Sequence, residues 1–194
     1  MTTVNWLDLK YSEEEIDALK RALSLGDISG FSPIVEEFES ACMDYTGSKH
    51  AIACCNGTVA LIVAFLALSR HLEKKLRIAV PTWTYIAPVN AADLIGDVVL
   101  VDSEIDTHNM STVLEKDIDV ICPVDMAGLP ADYDSFKKYN VPIVADVHFH
   151  YQRGIEAIVS GVSCLRINPG NIGSRSKLKE LVSVAKDYGV SMRI

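Results

Sequence analysis

The sequence has no apolar run of membrane-spanning length. The longest, around Leu61–Leu68, stops at Ser69, Arg70 and His71, whereas a helical span needs about 20 such residues. It has no CxxC pair either. Its five cysteines, Cys42, Cys54, Cys55, Cys122 and Cys164, are an odd number without metal-ligand spacing. That excludes a disulfide framework and a thiolate metal centre, and the expectation is buried thiols in a reducing cytoplasm. The opening Met1-Thr2-Thr3-Val4-Asn5 lacks the basic and apolar stretches of a signal peptide. Basic residues are scarce, 18 Lys and Arg against 26 Asp and Glu for a net charge of −8, which argues against a nucleic-acid partner. No internal repeat or low-complexity segment is visible.

What is present is 194 residues, 49% of them hydrophobic and 23% charged. That is enough for one domain or two small ones with an ordinary buried core. The charge is unevenly spread. Residues 1–140 carry 11 basic against 22 acidic side chains, net −11, and residues 141–194 carry 7 against 4, net +3. A reversal within so short a chain points to two surfaces with different roles, or to two origins.

Helix and strand patterns alternate along the chain. Ser12-Glu13-Glu14-Glu15 predicts a capped helix start running to Leu25, and Ser32-Pro33 opens a second helix. Ala51–Cys55 has strand character, and Thr58–Leu72 reads as an apolar helix. Strands are predicted at Arg77–Val80, Val98–Val101, Ile118–Cys122, Val141–Asp146, Cys164–Ile167 and Val190–Ile194. The intervening helices are predicted at Thr84–Leu94, Ser111–Lys116, Asp132–Tyr139, Tyr151–Ser160 and Ser174–Tyr188. Apolar strands alternating with helices predict an α/β protein, a mostly parallel sheet with helices on both faces. Ligands of such sheets sit beyond the carboxyl ends of the strands. Because the sequence closes on a strand, part of any site is expected to be missing from it.

Cys54-Cys55-Asn56-Gly57-Thr58 reads as strand, tight turn and helix start, where backbone N–H groups and the helix dipole favour a phosphate. A glycine at such a junction is equally a geometric need. Around it, residues 6 to about 146 resemble the DegT/StrS family of pyridoxal-phosphate sugar aminotransferases. The resemblance is carried by Gly30-Phe31-Ser32-Pro33-Ile34-Val35-Glu36-Glu37-Phe38-Glu39, by Asn56-Gly57-Thr58-Val59-Ala60-Leu61 and by Pro81-Thr82-Trp83-Thr84-Tyr85-Ile86-Ala87. Asp106-Thr107-His108-Asn109-Met110 and Pro123-Val124-Asp125-Met126-Ala127-Gly128-Leu129-Pro130-Ala131-Asp132 follow in the family's order. The resemblance implies that Gly57 and Thr58 hold the cofactor phosphate, that Tyr85 lies against the pyridine face, and that Asp146 pairs with the pyridinium nitrogen. On the residues alone, Tyr85 is as readily a helix-start aromatic, and Asp146 a helix cap. The resemblance also implies a homodimer with its site at the subunit interface.

The same family needs a Schiff-base lysine on a later strand-end loop, and no residue matches it. Lys177, Lys179 and Lys186 are spaced as solvated charges of one helix. No catalytic residue is therefore assigned, and pyridoxal phosphate is expected to bind noncovalently at most.

From about Val141 the chain resembles a second family, the HMBPP synthases of isoprenoid biosynthesis. The matching text is Val141-Pro142-Ile143-Val144-Ala145-Asp146-Val147-His148-Phe149, Cys164-Leu165-Arg166-Ile167-Asn168-Pro169-Gly170-Asn171-Ile172-Gly173 and Met192-Arg193-Ile194. This resemblance implies TIM-barrel strand–helix units with Arg166, Asn168 and Arg193 at a substrate diphosphate and Asp146 near them. It lacks the cysteines of that family's cluster domain, so no 4Fe–4S cluster is expected, and no metal ligand is assigned. The chain thus reads as a join. Residues 1–146 form an aminotransferase fold-type-I-like large-domain portion, its last strands replaced by a barrel-derived strand–helix–strand piece, residues 147–194. The expectation is that both pack as one continuous sheet. Three functional readings stand: an aminotransferase relative without its lysine, an HMBPP synthase fragment that keeps a diphosphate face, and a non-enzymatic recombinant or designed product. A small phosphorylated ligand is expected under either of the first two, and neither nucleic acid nor membrane is an expected partner.

Overall fold

The computed structural model describes residues 11–27, 29–115, 117–147, 150–167 and 174–193. Helices α1 (Glu13–Ser24), α2 (Pro33–Thr46) and α3 (Gly57–His71) lead into strand β1 (Arg77–Pro81), helix α4 (Ala87–Ile95) and strand β2 (Asp97–Val101). Then come β3 (Val120–Ile121), β4 (Val124–Asp125), α5 (Tyr133–Phe136), β5 (Val144–Val147), α6 (Tyr151–Val159), β6 (Cys164–Ile167), α7 (Arg175–Tyr188) and β7 (Ser191–Arg193). Local chemistry sets the boundaries. Ser12 and Glu15 form a reciprocal capping box on α1. Pro33 begins α2, and Gly47 ends it at φ +72°, a conformation that a residue with a side chain resists.

Every described strand pairing is parallel. One ladder runs β2-β1-β3 and the other β4-β5-β6-β7. A bridge between Ile121 and Ile143 joins them, as does a hydrogen bond from the Asp146 N–H to the Pro123 carbonyl, 3.3 Å. β3 and β4 are one strand path broken at Cys122-Pro123. Cys122 still donates to Ala79 on the β1 side at 2.9 Å, but Pro123 has no N–H to offer, and beyond it the path pairs with β5. The predicted α/β architecture with helices on both faces is what is seen, and residues 164–167 and 191–193 extend the sheet from β5 outward.

Side chains alternate between the two faces. Ile78 and Val80 of β1 join Leu61 and Phe65 of α3 and Ala91 and Ala92 of α4 in one buried cluster. Ala79 of the same strand joins the other, larger cluster. That cluster takes Ala145 and Val147 from β5, Leu165 and Ile167 from β6, Ala157 and Ile158 from α6, and Leu181 and Ala185 from α7. It therefore draws on residues from both halves of the chain.

Two predicted elements are absent. Ala51–Cys55 is not in the sheet: the N–H of Ala53 donates instead to Glu39 Oε1 of α2 at 2.7 Å. Residues 111–115 form no helix, and Lys116 lies outside the described residues. The Tyr139 hydroxyl accepts from the Leu114 N–H at 2.8 Å and donates to the Thr112 carbonyl at 2.9 Å. Those are backbone groups a helix would have used internally. The predicted helix Asp132–Tyr139 is shorter than expected, α5 giving way to a 3-10 turn at Lys137–Tyr139.

Leu165 is fully buried in the cluster that both halves share. Leu165→Ala is expected to lower stability by about 2–5 kcal/mol and to move one denaturation transition. A second transition left unmoved in urea melts would show that residues 150–193 fold apart from the rest.

Candidate functional site

The strand alternation that buries Ala145, Val147, Leu165 and Ile167 turns Asp146 and Arg166 to the opposite face of the sheet. The parallel register sets Asp146 directly beside Arg166, and Arg166 beside Arg193. Asp146, 6% exposed, accepts a hydrogen bond from Arg166 Nη1 to its Oδ1 at 2.8 Å. Both side chains are largely withdrawn from water, so each depends on the other. Water does not replace a lost partner there, and breaking a buried pair costs more than forming it returns.

The other arm of the same guanidinium reaches helix α3. A methyl group placed on Gly57 would lie 2.8 Å from Arg166 Nη2. Only the bare backbone of a glycine admits the arginine this closely. Gly57 is the first residue of α3, and the helix is capped by Asn56, whose Oδ1 accepts from the Val59 N–H at 3.0 Å. Arg166 thus spans from the carboxylate ending β5 to the amino end of α3, joining two of the residues that the aminotransferase resemblance assigned to the cofactor. Thr58 follows Gly57 in the first turn of α3.

This corner opens into a cavity of about 490 Å³ between α2, α3, the 48–56 segment and the ends of β6 and β7. Its wall combines apolar side chains such as Ile52, Ala60 and Met192 with Cys42, Thr46 and Arg166. Burial, and then the neighbouring Glu39 carboxylate, push the Cys42 thiol up from its usual value. Glu39, which reading the sequence did not single out, lines the cavity and also ties down Ala53. Nothing short of the tertiary contact signals this role.

The remaining assigned residues are placed differently. Tyr85 stands in the loop between β1 and α4 with its ring 79% exposed, outside the cavity wall. Trp83, not Tyr85, finds a partner in that loop, stacking on His108 with ring centroids 5.3 Å apart. Arg193 is placed by register only, and Asn168 lies outside the described residues, as do His148 and Phe149. Lys177, Lys179 and Lys186 lie exposed on α7, Lys177 above the Tyr151 ring and the stem of Lys186 against Gly47.

The 123–132 block has a framework role. Asp125, fully buried, accepts from the Tyr133 hydroxyl at 2.6 Å and from the Ala131 N–H at 3.0 Å, both at Oδ1. Asn109 donates to the Pro130 carbonyl at 2.7 Å and accepts from the Met126 N–H at 3.4 Å. Burial, and then the Asp125 charge, hold the Tyr133 hydroxyl protonated well above its usual range. Among the described residues there is no group of three His, Cys, Asp or Glu side chains fit to hold a metal, and no helix is long and apolar enough to cross a membrane.

A parallel α/β sheet with a glycine-opened helix and an acidic strand end at one corner defines the class of the large domains of aminotransferases. Residues 10–148 match the DegT/DnrJ/EryC1/StrS aminotransferase family, and the chain belongs to that family. Residues 125–194 match the GcpE TIM-barrel domain. The chain is similar to 3-amino-5-hydroxybenzoic acid synthase, with 31% identity and a TM-score of 0.58 over 71% of this chain and 38% of that one. It is similar to an aminotransferase from Psychrobacter cryohalolentis, with 28% identity and a TM-score of 0.57 over 71% and 37%. It is also similar to 4-hydroxy-3-methylbut-2-en-1-yl diphosphate synthase (flavodoxin) of Gluconobacter oxydans (strain 621H), 56% identical over 75 residues. Those residues are 39% of this chain and 19% of that protein. The chain spans about a fifth of that curated relative and under half of either solved structure. Both resemblances are real, but the second begins at residue 125, ahead of Val141, and overlaps the first over 125–148.

The family implies pyridoxal phosphate in its members. With its phosphate at Gly57 and its ring nitrogen at Asp146, the ring would cross the gap that the Arg166 guanidinium fills. The carboxylate that would pair with the ring already holds a cation. The residues present do not fit the cofactor in that mode.

Two substitutions check this geometry. Asp146→Asn weakens the charge-assisted bond to Arg166 and is expected to cost about 2 kcal/mol in denaturant titrations. Tyr133→Phe withdraws the hydroxyl donor from Asp125 Oδ1 and leaves it the Ala131 N–H, and is expected to cost about 1–3 kcal/mol. A loss below about 0.5 kcal/mol in either variant would show that the bond it removes contributes little.

Proposed function

We propose that this chain is a non-transaminating relative of the sugar aminotransferases, whose cofactor corner has become a site for a small phosphorylated ligand. In this reading residues 1–146 and 147–194 form one domain. The observation that carries it is the bridge made by Arg166 between Asp146 and Gly57. An arginine at the carboxyl end of a parallel strand, beside the amino end of a helix, pairs well with phosphate oxygens. The N–H groups at Gly57 and Thr58 complete the cradle, and Arg193 and Asn168 adjoin it by the second resemblance. Asp146 orients the guanidinium.

The lysine required for a Schiff base has no counterpart. All the lysines of residues 147–194 lie on the exposed face of α7, so there is neither a covalent anchor nor a base to move a proton at a bound substrate. Pyridoxal phosphate binds noncovalently at most, and no iron–sulfur cluster takes part. The chain acts in the cytoplasm. It is a homodimer, and the surface offered for this is that of α1 and α2. Neither helix buries a residue, and Leu19, Leu23, Phe31 and Phe38 are exposed on them or beside them.

A second reading, an HMBPP synthase fragment that retains a diphosphate face, draws on the Asp146, Arg166 and Arg193 row across β5, β6 and β7. A third, a folded recombinant without activity, predicts that no ligand binds.

Two measurements test the proposal. Borohydride reduction in the presence of pyridoxal phosphate is expected to leave no stoichiometric lysine adduct by mass spectrometry; fixation at a single lysine would refute the missing anchor. Calorimetry with inorganic diphosphate is expected to show binding that Arg166→Ala weakens at least tenfold. Absence of heat in the intact protein would leave the third reading standing.

A further inference from the structure

We propose that Arg166 is the residue that keeps a pyridoxal ring out of this chain, and that its removal reopens a binding site for the pyridine cofactor. The inference rests on the reading of Gly57 and Asp146 as the two ends of that site. It differs from the proposed function in what it asks of Arg166. There the arginine attracts an anion; here it excludes a ring.

The exclusion is steric and electrostatic together. Arg166 is not a flexible surface side chain. Its strand is hydrogen-bonded on both sides, to β5 and to β7, its neighbours Leu165 and Ile167 are buried in the core on the opposite face, and its own side chain is only 23% exposed. The guanidinium is held at one end by Asp146 Oδ1 and lies at the other against Gly57, where no Cβ intervenes. A ring between those two residues needs that same volume. A protonated pyridine nitrogen also needs an unneutralised carboxylate, and beside a guanidinium it meets a like charge.

The segment that brings Arg166 is the one that matches the barrel family, residues 125–194. The block with Gly57 lies in the portion that only the aminotransferase family matches. Asp146 falls in the overlap of the two matches, 125–148. The residue that occupies the corner is thus foreign to the portion that supplies its walls.

The test uses pyridoxamine phosphate, which has the ring and the phosphate but no aldehyde, and so does not label surface lysines. Binding is read by its fluorescence and by induced circular dichroism, with far-ultraviolet circular dichroism reporting the fold. The intact protein is expected to bind weakly or not at all. Arg166→Ala is expected to bind at least tenfold more tightly, and the double variant Arg166→Ala/Asp146→Asn to fall between the two, because it keeps the space but loses the carboxylate. A folded Arg166→Ala protein that gains nothing overturns the inference, as does an intact protein that already binds as tightly as the variant. Where Arg166→Ala alone does not fold, with Asp146 left buried, the double variant carries no stranded charge and decides the matter. Its binding must exceed that of the intact protein, or the inference falls. The inorganic diphosphate titration separates this inference from the proposed function. If Arg166→Ala loses diphosphate and gains no pyridoxamine phosphate, the anion site stands and the exclusion does not. The reverse pattern sustains the exclusion alone.

Discussion

The site depends on a single register, the one that sets Asp146 of β5 opposite Arg166 of β6. In parallel strands a slip of one residue turns every side chain to the other face. Here such a slip would drive Arg166 into the cluster that holds Leu165 and Ile167, and expose those two instead. The apolar alternation of β6 therefore enforces the polar contact on its other side. The carboxylate and the guanidinium meet because the core leaves them no other face, and the bond between them accounts for how two charged groups are tolerated so far from water.

The join between two family likenesses rests on the same strand. The overlap of the matches, 125–148, takes in the last residue of β4 together with α5 and β5. β5 is a fully buried strand that carries Asp146 next to its end. A segment satisfying both sets of neighbours lets the sheet continue from β3 to β6 without an exposed edge in its middle. The charge reversal along the chain does not sort the corner by sign: residues 141–194 supply both Arg166 and the Asp146 carboxylate that holds it, and the acidic portion supplies the Gly57 end of α3.

Much of the architecture was legible from residue patterns, since most strands are short apolar runs stopped by Pro, Gly or Asp, and most helices start at Ser or Pro. The misreadings share a cause. Ala51–Cys55 has the composition of a strand, but composition does not reveal that Glu39, fourteen positions before Ala53, takes the Ala53 N–H before a strand can. Residues 111–115 have a helical pattern, but the Tyr139 hydroxyl satisfies their backbone from 25 residues away. At the site, Gly57, Asp146 and Arg166 were each singled out from strand-end position and family likeness. One likeness set Gly57 and Asp146 at one cofactor and the other set Asp146 near Arg166, but that Arg166 reaches Gly57 was not legible, because those two were assigned to different ligands and only the fold brings them together. Tyr85 was drawn in by family likeness, and it stands exposed in the β1–α4 loop.

The break at Cys122-Pro123 bears on how the sheet holds together. Because the proline contributes no donor, backbone bonding between the two ladders narrows to the Ile121–Ile143 bridge and the bond from Asp146 to Pro123. What couples the two sides of the break is the shared core, the cluster that takes Ala79 from β1 and Ile121 from β3 together with Ala145 from β5 and Leu165 from β6. Gly57 stands at the head of a helix packed on the β1 ladder, while Asp146 and Arg166 stand on the other. The Arg166 side chain therefore crosses from one ladder to the helix packed on the other, adding a side-chain contact where the backbone pairing is thinnest.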